Sequence, residues 1–393
     1  DLYTAGASRH SGYFFIQTKT GFVQQPLTDK PAEKLQEETG TLLFDADNDG
    51  DNDLYCVAGG NEFGDSASYQ DLFFVNTGKG NFREDKKALP NTSASGSCVA
   101  AADYDHDGDL DLFVGGKSKP HQYPLIARSY LLRNDSDPQK KIIKFTDVTE
   151  TVCTHLQMPG IVSDALFTDY DNDGFADILI AGECMPLQLY KNNMGRNFIP
   201  VSVEAFHHTN GWYNSIAAGD FDNDGDMDYI AGNLGLNSKY KATKAEPVSV
   251  RYNDYNKDGA IDVFLFSYNN GKEYPYQTRT VFTEQITTLK KKIFYYQDFG
   301  SMGYTDIFSE EQRKDDKELK AYLMASLYIE NIGNSKFSVK PLPMQAQTAP
   351  MFGIVPFDID ADGNLDILAV GNSYAPEALT GRYDASIGWV LKG

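Results

Sequence analysis

The sequence predicts an all-β chain, a β-propeller of four-stranded blades, and three observations predict it. One nine-residue aspartate loop recurs six times in a single frame, short apolar runs flank every copy, and Tyr and Phe number 24 each. Self-similarity in a fixed frame marks a repeat architecture, and aromatic side chains suit the pleated, half-buried surface of a sheet. At 393 residues the chain is long for one ordinary domain, but propeller blades share one unit of several hundred residues. Residues 1–393 are therefore read as a single domain.

The loop is the first element to justify. It opens as Asp45-Ala46-Asp47-Asn48-Asp49-Gly50-Asp51-Asn52-Asp53, and the frame returns from Asp103, Asp169, Asp220, Asp254 and Asp358. Asp fills positions 1, 5 and 9 of every copy, Gly fills position 6, and position 3 is Asp in all but Asn256. Calcium takes six to eight oxygen ligands. Carboxylates at positions 1, 3, 5 and 9, with the backbone carbonyl of position 7, supply such a set once the chain curls. Gly at position 6 is expected there because a side chain would obstruct the turn.

The candidate ligands in loop 1 are Asp45, Asp47, Asp49, Asp51 and Asp53, and in loop 2 Asp103, Asp105, Asp107, Asp109 and Asp111. Loop 3 offers Asp169, Asp171, Asp173, Phe175 and Asp177; loop 4 offers Asp220, Asp222, Asp224, Asp226 and Asp228. Loop 5 offers Asp254, Asn256, Asp258, Ala260 and Asp262, and loop 6 Asp358, Asp360, Asp362, Asn364 and Asp366. About six structural calcium ions are expected. An EF-hand would need Glu at position 12, where this chain has Cys56, Val114, Ile180, Ala231, Leu265 and Ala369. An acidic turn without metal is the plain alternative, but it leaves several carboxylates crowded with no cation to offset their repulsion.

The flanks are the second element. DLYCVAGG, DLFVGG, DILIAG, DYIAGN, DVFLFS and DILAVGN follow the loops, and a further run such as DLFFVNTGKGNF, LQLYKNNMGRNF or SLYIENIGNSKF comes later. The unit reads as strand, aspartate loop, strand, connection, strand, turn, strand. Starts separated by 58, 66, 51, 34 and 104 residues make the array irregular. The longest interval holds a helical insertion over residues 278–325, where Val281, Phe282, Ile286 and Leu289 recur at helical spacing. Ser309 to Gln312 forms a capping box opening a charged helix. The insertion is expected over the ligand face as a lid or interface, or else as a solvated decoration.

The formal charge of -21 repels phosphate backbones and anionic lipid, which argues against nucleic acid and membrane surfaces as partners. No apolar run is long enough for insertion into a bilayer. The chain opens on Asp1 rather than Met and reads as a mature or excised segment. Cys56, Cys98, Cys153 and Cys184 allow three pairings, or simply four buried thiols.

These residues resemble FG-GAP/VCBS repeats, such as those of the integrin α-subunit propeller. TGTLLFDADNDGDNDLYCVAGGNEF, SGSCVAAADYDHDGDLDLFVGG, GWYNSIAAGDFDNDGDMDYIAGNLGLNSKY and GNSYAPEALTGRYDAS look most like large secreted bacterial repeat proteins related to the cartilage acidic protein family. The resemblance implies seven blades, calcium, and a secreted or cell-surface location. With six loops for seven blades, the termini are expected to complete one composite blade, GYFFIQTKTGF meeting SIGWVLKG.

If each loop is the hairpin between strands 1 and 2, the connections after strand 2 emerge at the other end. They carry Asn61, Glu62, residues 117–128, 233–240, 274–279 and 372–384, and long loops on a rigid scaffold are where binding residues gather. Trp212, Tyr213, Asn233, Asn237, Arg382 and Tyr383 are the candidate ligand contacts, each with a purely structural alternative. The leading expectation is a non-enzymatic recognition module for glycan or extracellular protein. A polysaccharide-active enzyme using that face and a purely architectural domain are the alternatives. No nucleophile–base pattern supports the enzyme, since His207 and His208 have no motif partner.

Overall fold

The computed structural model describes residues 2–78, 80–374, 376 and 380–393, so the connection read at 372–384 lies partly outside the described residues. The chain is all-β, with 39% strand against 12% helix. It divides into two compact units: residues 1–121, 125–180 and 189–201, and residues 122–124, 181–188 and 202–393.

In the first unit, Leu2–Thr4, Tyr13–Thr18 and Gly21–Pro26 form a three-stranded antiparallel meander. Glu37–Phe44, Asp53–Gly59, Leu72–Asn76 and Phe82–Glu84 make the next sheet. Gly96–Ala102, Asp111–Gly116, Tyr130–Asn134 and Phe145–Asp147 make the third, and the fourth starts with Ile161–Thr168. Each four-stranded sheet follows the order expected from the sequence, with the aspartate loop joining its first two strands. The reason is burial. Asp53–Gly59 and Asp111–Gly116 are buried at every residue, so the second strand of a blade is covered on both faces and reads as a continuous apolar run. Phe44, Tyr55, Val57 and Phe73 of one sheet interlock with Leu112, Val114, Leu132 and Phe145 of the next.

The second unit departs from the regular array in a way that explains the spacing. Ser215–Gly219, Asp228–Gly232, Leu327–Asn331 and Phe337–Pro341 form one sheet, whose second and third strands are separated in sequence by another sheet entire. That inserted sheet has Lys272–Pro275, Asp262–Asn269, Val248–Asn253 and Lys317–Ala321 in this spatial order. Its fourth strand returns beside its first, which is a Greek-key arrangement rather than a meander. Loop 5 therefore lies inside the blade of loop 4, which accounts for both the short and the long interval. Seven sheets are present among the described residues, but only six are meanders or parts of one.

The long return connection is the helical insertion. Short helices run from Arg279–Gln285 to Glu310–Arg313, and Ser309 closes the expected capping box with Gln312. The helical part is shorter than the range read from sequence, because residues 317–321 are a strand. Phe282, Ile286, Leu289, Ile293 and Phe308 are buried against Phe264 and Phe266 of the inserted sheet. The insertion is thus the apolar cover of its own sheet rather than a solvated decoration. The strand Asp262–Asn269 alternates buried and half-buried residues accordingly.

The chain ends on a three-stranded sheet of Gly353–Phe357, Asp366–Val370 and Trp389–Leu391. The first and last strands belong to separate sheets, so the composite blade expected from the termini is not formed. All four cysteines are free and buried, and the Cys184 sulfur accepts a hydrogen bond from the Trp212 indole N–H at 2.9 Å.

Candidate metal centres and the opposite ends of the sheets

Six loops share one internal hydrogen-bond pattern. The position 1 carboxylate accepts the backbone N–H groups of positions 5 and 6, at 3.1 and 2.9 Å from Asp45 and 3.0 and 2.8 Å from Asp169. The position 5 carboxylate then accepts the N–H of position 7, at 3.0 Å from Asp49 and 2.9 Å from Asp224. Positions 4 and 6 are left-handed, as at Asn48 and Gly50 (φ 58° and 91°) or Asn223 and Gly225 (φ 60° and 94°). A Cβ at Gly50 or Gly225 would meet nothing within 4 Å. The reading that a side chain would obstruct this turn is therefore corrected: glycine is needed for its φ, not for space. The left-handed residue at position 4 was not read from sequence, although Asn at three of the six positions is its usual signature.

Position 9 has a second role that sequence reasoning missed. Asp53, Asp111, Asp177, Asp228, Asp262 and Asp366 are all buried. One oxygen of each accepts the N–H of position 2 in its own loop, as from Tyr104 to Asp111 at 3.3 Å and from Tyr170 to Asp177 at 3.3 Å. In five of them the other oxygen accepts an N–H at the end of the third strand: Asn76 at 2.8 Å, Asn134 at 2.8 Å, Asn192 at 2.6 Å, Asn331 at 2.7 Å and Gly393 at 3.0 Å. Asn134 and Asn192 go on to donate their side-chain amides to Ala46 O and Tyr104 O, position 2 of the preceding loop, at 2.9 and 2.8 Å. Successive loops are stitched together this way, and the Asn of each third-strand turn was the available signal.

The carboxylates converge in five of the six loops. Asp45, Asp47 and Asp49 come together, as do Asp103, Asp105 and Asp111, then Asp169, Asp171 and Asp177, then Asp220, Asp222 and Asp224, then Asp358, Asp360 and Asp366. Burial and mutual repulsion push several up: Asp111 to about 8, by burial first with Asp105 and Asp109 adding, and Asp109 to about 7, by burial first with Asp107 next. Oδ1 of Asp105 and Oδ1 of Asp109 are buried without a hydrogen-bond partner among the described residues. Orphaned hard oxygens in a ring of carboxylates fit a hard cation such as calcium. Asp109 also shows that position 7 brings its side chain toward loop 2, whereas at Phe175, Ala260 and Asn364 no carboxylate exists to do so. Loop 5 differs: the Asn256 amide donates to Asp258 at 2.9 Å, and no triad gathers there among the described residues.

At the other ends of the sheets the candidate contacts separate into two kinds. Tyr213 is fully buried with its hydroxyl on Thr209 O at 2.6 Å. Asn233 is fully buried, its oxygen accepting from Trp212 and Leu234 and its amide donating to Leu323 O and Ala325 O. Both are corrected to scaffold positions, since neither presents an atom to a ligand. Asn237 is exposed and donates to Thr348 O at 3.0 Å. Arg382 is exposed and lies 5.9 Å over the Tyr374 ring.

Trp212 is half-buried in an aromatic cluster. Its ring meets Tyr240 edge-on at 4.7 Å, Tyr240 stacks on Tyr276 at 4.5 Å, and the Lys239 ammonium lies 4.5 Å from the Tyr276 ring. The Tyr383 hydroxyl is buried without a hydrogen-bond partner among the described residues, and its electrostatic influence reaches Tyr276. Tyr240 and Tyr276 lie in the connections singled out from sequence but were not named as contacts.

Comparison with known proteins identifies the repeat. Residues 45–114 and 169–231 match the FG-GAP-like repeat model. These stretches are similar to FG-GAP repeats. The matched stretches hold loops 1 to 4 apart from loops 5 and 6. No curated protein matches the chain. Among solved structures, one similar chain is an Agrocybe aegerita lectin described as specifically recognising non-reducing terminal N-acetylglucosamine. It is 14% identical, with 100% of this chain and 85% of that chain covered at a TM-score of 0.48. Another is BBS1N in complex with ARL6DN, 10% identical, with 85% and 88% covered at a TM-score of 0.27. Among the described residues no helix is long and apolar enough to cross a membrane.

Proposed function

We propose that the chain is a calcium-binding, non-enzymatic recognition module, secreted or displayed at a cell surface, that binds glycan or extracellular protein at the ends of its sheets opposite the aspartate loops. With this goes the sequence resemblance to secreted bacterial repeat proteins related to the cartilage acidic protein family. The observation that carries the calcium reading is the convergence of carboxylates in five loops, with two buried oxygens in loop 2 that have no hydrogen-bond partner among the described residues. Asp at positions 1, 3, 5 and 9 would hold the ion, and when bound it supplies charge neutralisation rather than chemistry.

The recognition reading rests on the aromatic cluster of Trp212, Tyr240 and Tyr276 with Lys239 against it, and on the exposed Arg382 and the neighbouring Tyr383 in the connections at the same ends of the sheets. Flat rings with a polar edge offer a sugar ring or a side chain both apolar contact and hydrogen bonds.

A glycan array and a panel of extracellular protein domains, probed with the calcium-loaded chain, test the proposal. Arg382→Ala and Trp212→Ala should lose a bound ligand, whereas Asn48→Ala at a loop should keep it. Loss with Asn48→Ala alone would place recognition at the wrong end. Absence of any ligand in both screens would favour a purely architectural domain.

A further inference from the structure

The loops are not equivalent, and the residue that distinguishes them is fixed by register. The N–H that caps position 9 belongs to Asn76, Asn134, Asn192, Asn331 and Gly393 in loops 1, 2, 3, 4 and 6. The residue just before it is Val75, Arg133, Lys191, Glu330 and Lys392 in turn. Arg133 is engaged by Asp135 at 2.9 Å, and Glu330 by Lys340. Lys191 and Lys392 instead reach into their loops. The Lys191 ammonium bonds Asp171 and, at 2.7 Å, Asp173; Lys392 bonds Asp360 at 2.7 Å and Asp362 at 3.1 Å. Those are positions 3 and 5 of loops 3 and 6. The Lys191 stem runs beside Tyr170, with its ammonium 5.7 Å from the ring centre.

We infer that Lys191 and Lys392 are built-in counter-ions that hold loops 3 and 6 formed without metal and weaken their calcium affinity relative to loops 1, 2 and 4. This rests on the calcium reading of the loops. A cation entering between positions 3 and 5 must displace the ammonium, so its net gain is reduced by the ion pairs it breaks. Loop 1 has Val75 at this position and loop 4 has Glu330, so neither contains such a competitor. The chain therefore carries two classes of site, one that needs calcium to offset carboxylate repulsion and one already offset. Lys191 is 33% exposed and Lys392 61%, so screening by solvent should make the effect of Lys191 the larger.

Isothermal titration of the full chain with calcium, compared with Lys191→Met and Lys392→Met, tests this. Methionine keeps the apolar stem and removes the charge. Each variant should move one site from the weak class to the tight class, with affinity at that site rising about tenfold for Lys191→Met. The gain should vanish when Asp171→Asn is added, and Lys140→Met, whose ammonium pairs with Asp137 and with no loop carboxylate among the described ion pairs, should change nothing. In chelator, Lys191→Met should melt below the parent chain, and Lys191→Gln should do the same. Calcium binding by the parent with no gain in Lys191→Met overturns the inference alone. No calcium binding by the parent or by any variant overturns the calcium reading itself, while an unchanged melting point in chelator removes the counter-ion role.

Discussion

Asn192→Ala should be among the most damaging polar substitutions in the chain. Asn192 is fully buried. Its side-chain amide donates to Tyr104 O at 2.8 Å and Ala176 O at 3.1 Å, and its oxygen accepts from Gly195 N at 2.8 Å. Alanine leaves those three backbone groups without their partner, each costing about 1–3 kcal/mol when no water reaches it. Partial relaxation at the turn makes about 4 kcal/mol a reasonable total. Asn76→Ala is the internal comparison, because Asn76 is only half-buried and its amide reaches the exposed loop carbonyl of Asn52 at 3.1 Å. Water replaces that partner, so its loss should be about 1 kcal/mol. Urea unfolding of both variants in saturating calcium, followed by tyrosine fluorescence and far-ultraviolet dichroism together, measures the difference. Equal midpoints for the two variants would refute the view that stitching between neighbouring loops, rather than capping of one loop, is what this Asn provides.

Other outcomes follow from the same geometry. Chelation should lower the melting temperature and calcium, not magnesium, should restore it, since each independent site at a hundred times its dissociation constant adds about 2.7 kcal/mol; an identical melting curve after verified metal removal defeats the structural role. In loop 4, Asp224→Ala should weaken calcium binding measured by titration while Asp226→Ala does little, and equal losses would mean the coordination frame is wrong. Gly225→Ala should cost about 1–2 kcal/mol in unfolding experiments through its φ of 94° alone, because no atom obstructs the new Cβ; a neutral result would show the turn tolerates another conformation. Asp71 is buried and held up to about 7, chiefly by burial, with Tyr55 and Ala58 donating to it at 2.7 Å each. A carboxyl raised on folding contributes stability that is complete below about pH 4 and lost as pH rises through about 7. Asp71→Asn should therefore gain on the parent between pH 5 and pH 8, by at most about 4 kcal/mol, and a gap independent of pH would contradict it.

Much of this was legible in the sequence because the loop encodes its own geometry. Asp at position 1, Gly at position 6 and an apolar position 12 place a hairpin between two strands, and each of the six does join two strands. DLYCVAGG reads as the strand after the loop, and it is that strand, buried at every residue from Asp53 to Gly59. Three things were not legible. Which residue pairs with which strand is a non-local matter, so the insertion of one sheet within the blade of another left only odd spacings behind. Position 9 looks like any other Asp of the loop, and its burial against the third-strand Asn depends on a partner 15 to 103 residues away. Tyr213 follows the half-buried Trp212 and Asn233 opens a long connection, yet backbone direction sends both into the core.

Loop 5 shows how a loop of this kind persists with fewer carboxylates. It has three side-chain carboxylates at positions 1, 3, 5 and 9 where the others have four. Its sheet is covered by the helical insertion, and that insertion supplies polar groups to the loop end. Gln312 donates to Tyr255 O at 3.2 Å and accepts through its backbone oxygen from Asn253 at 3.0 Å. Gln285 accepts from Val263 N at 3.1 Å, and its backbone oxygen accepts from Asn256 at 3.4 Å. Asn256 meanwhile donates to Asp258, which turns a repulsive pair of positions into a hydrogen bond. Amides fixed by an adjoining apolar core thus do in loop 5 what Lys191 and Lys392 do in loops 3 and 6. The loop fold needs its carboxylate repulsion offset, and in this chain three different devices do so, a bound cation in our proposal being only one of them.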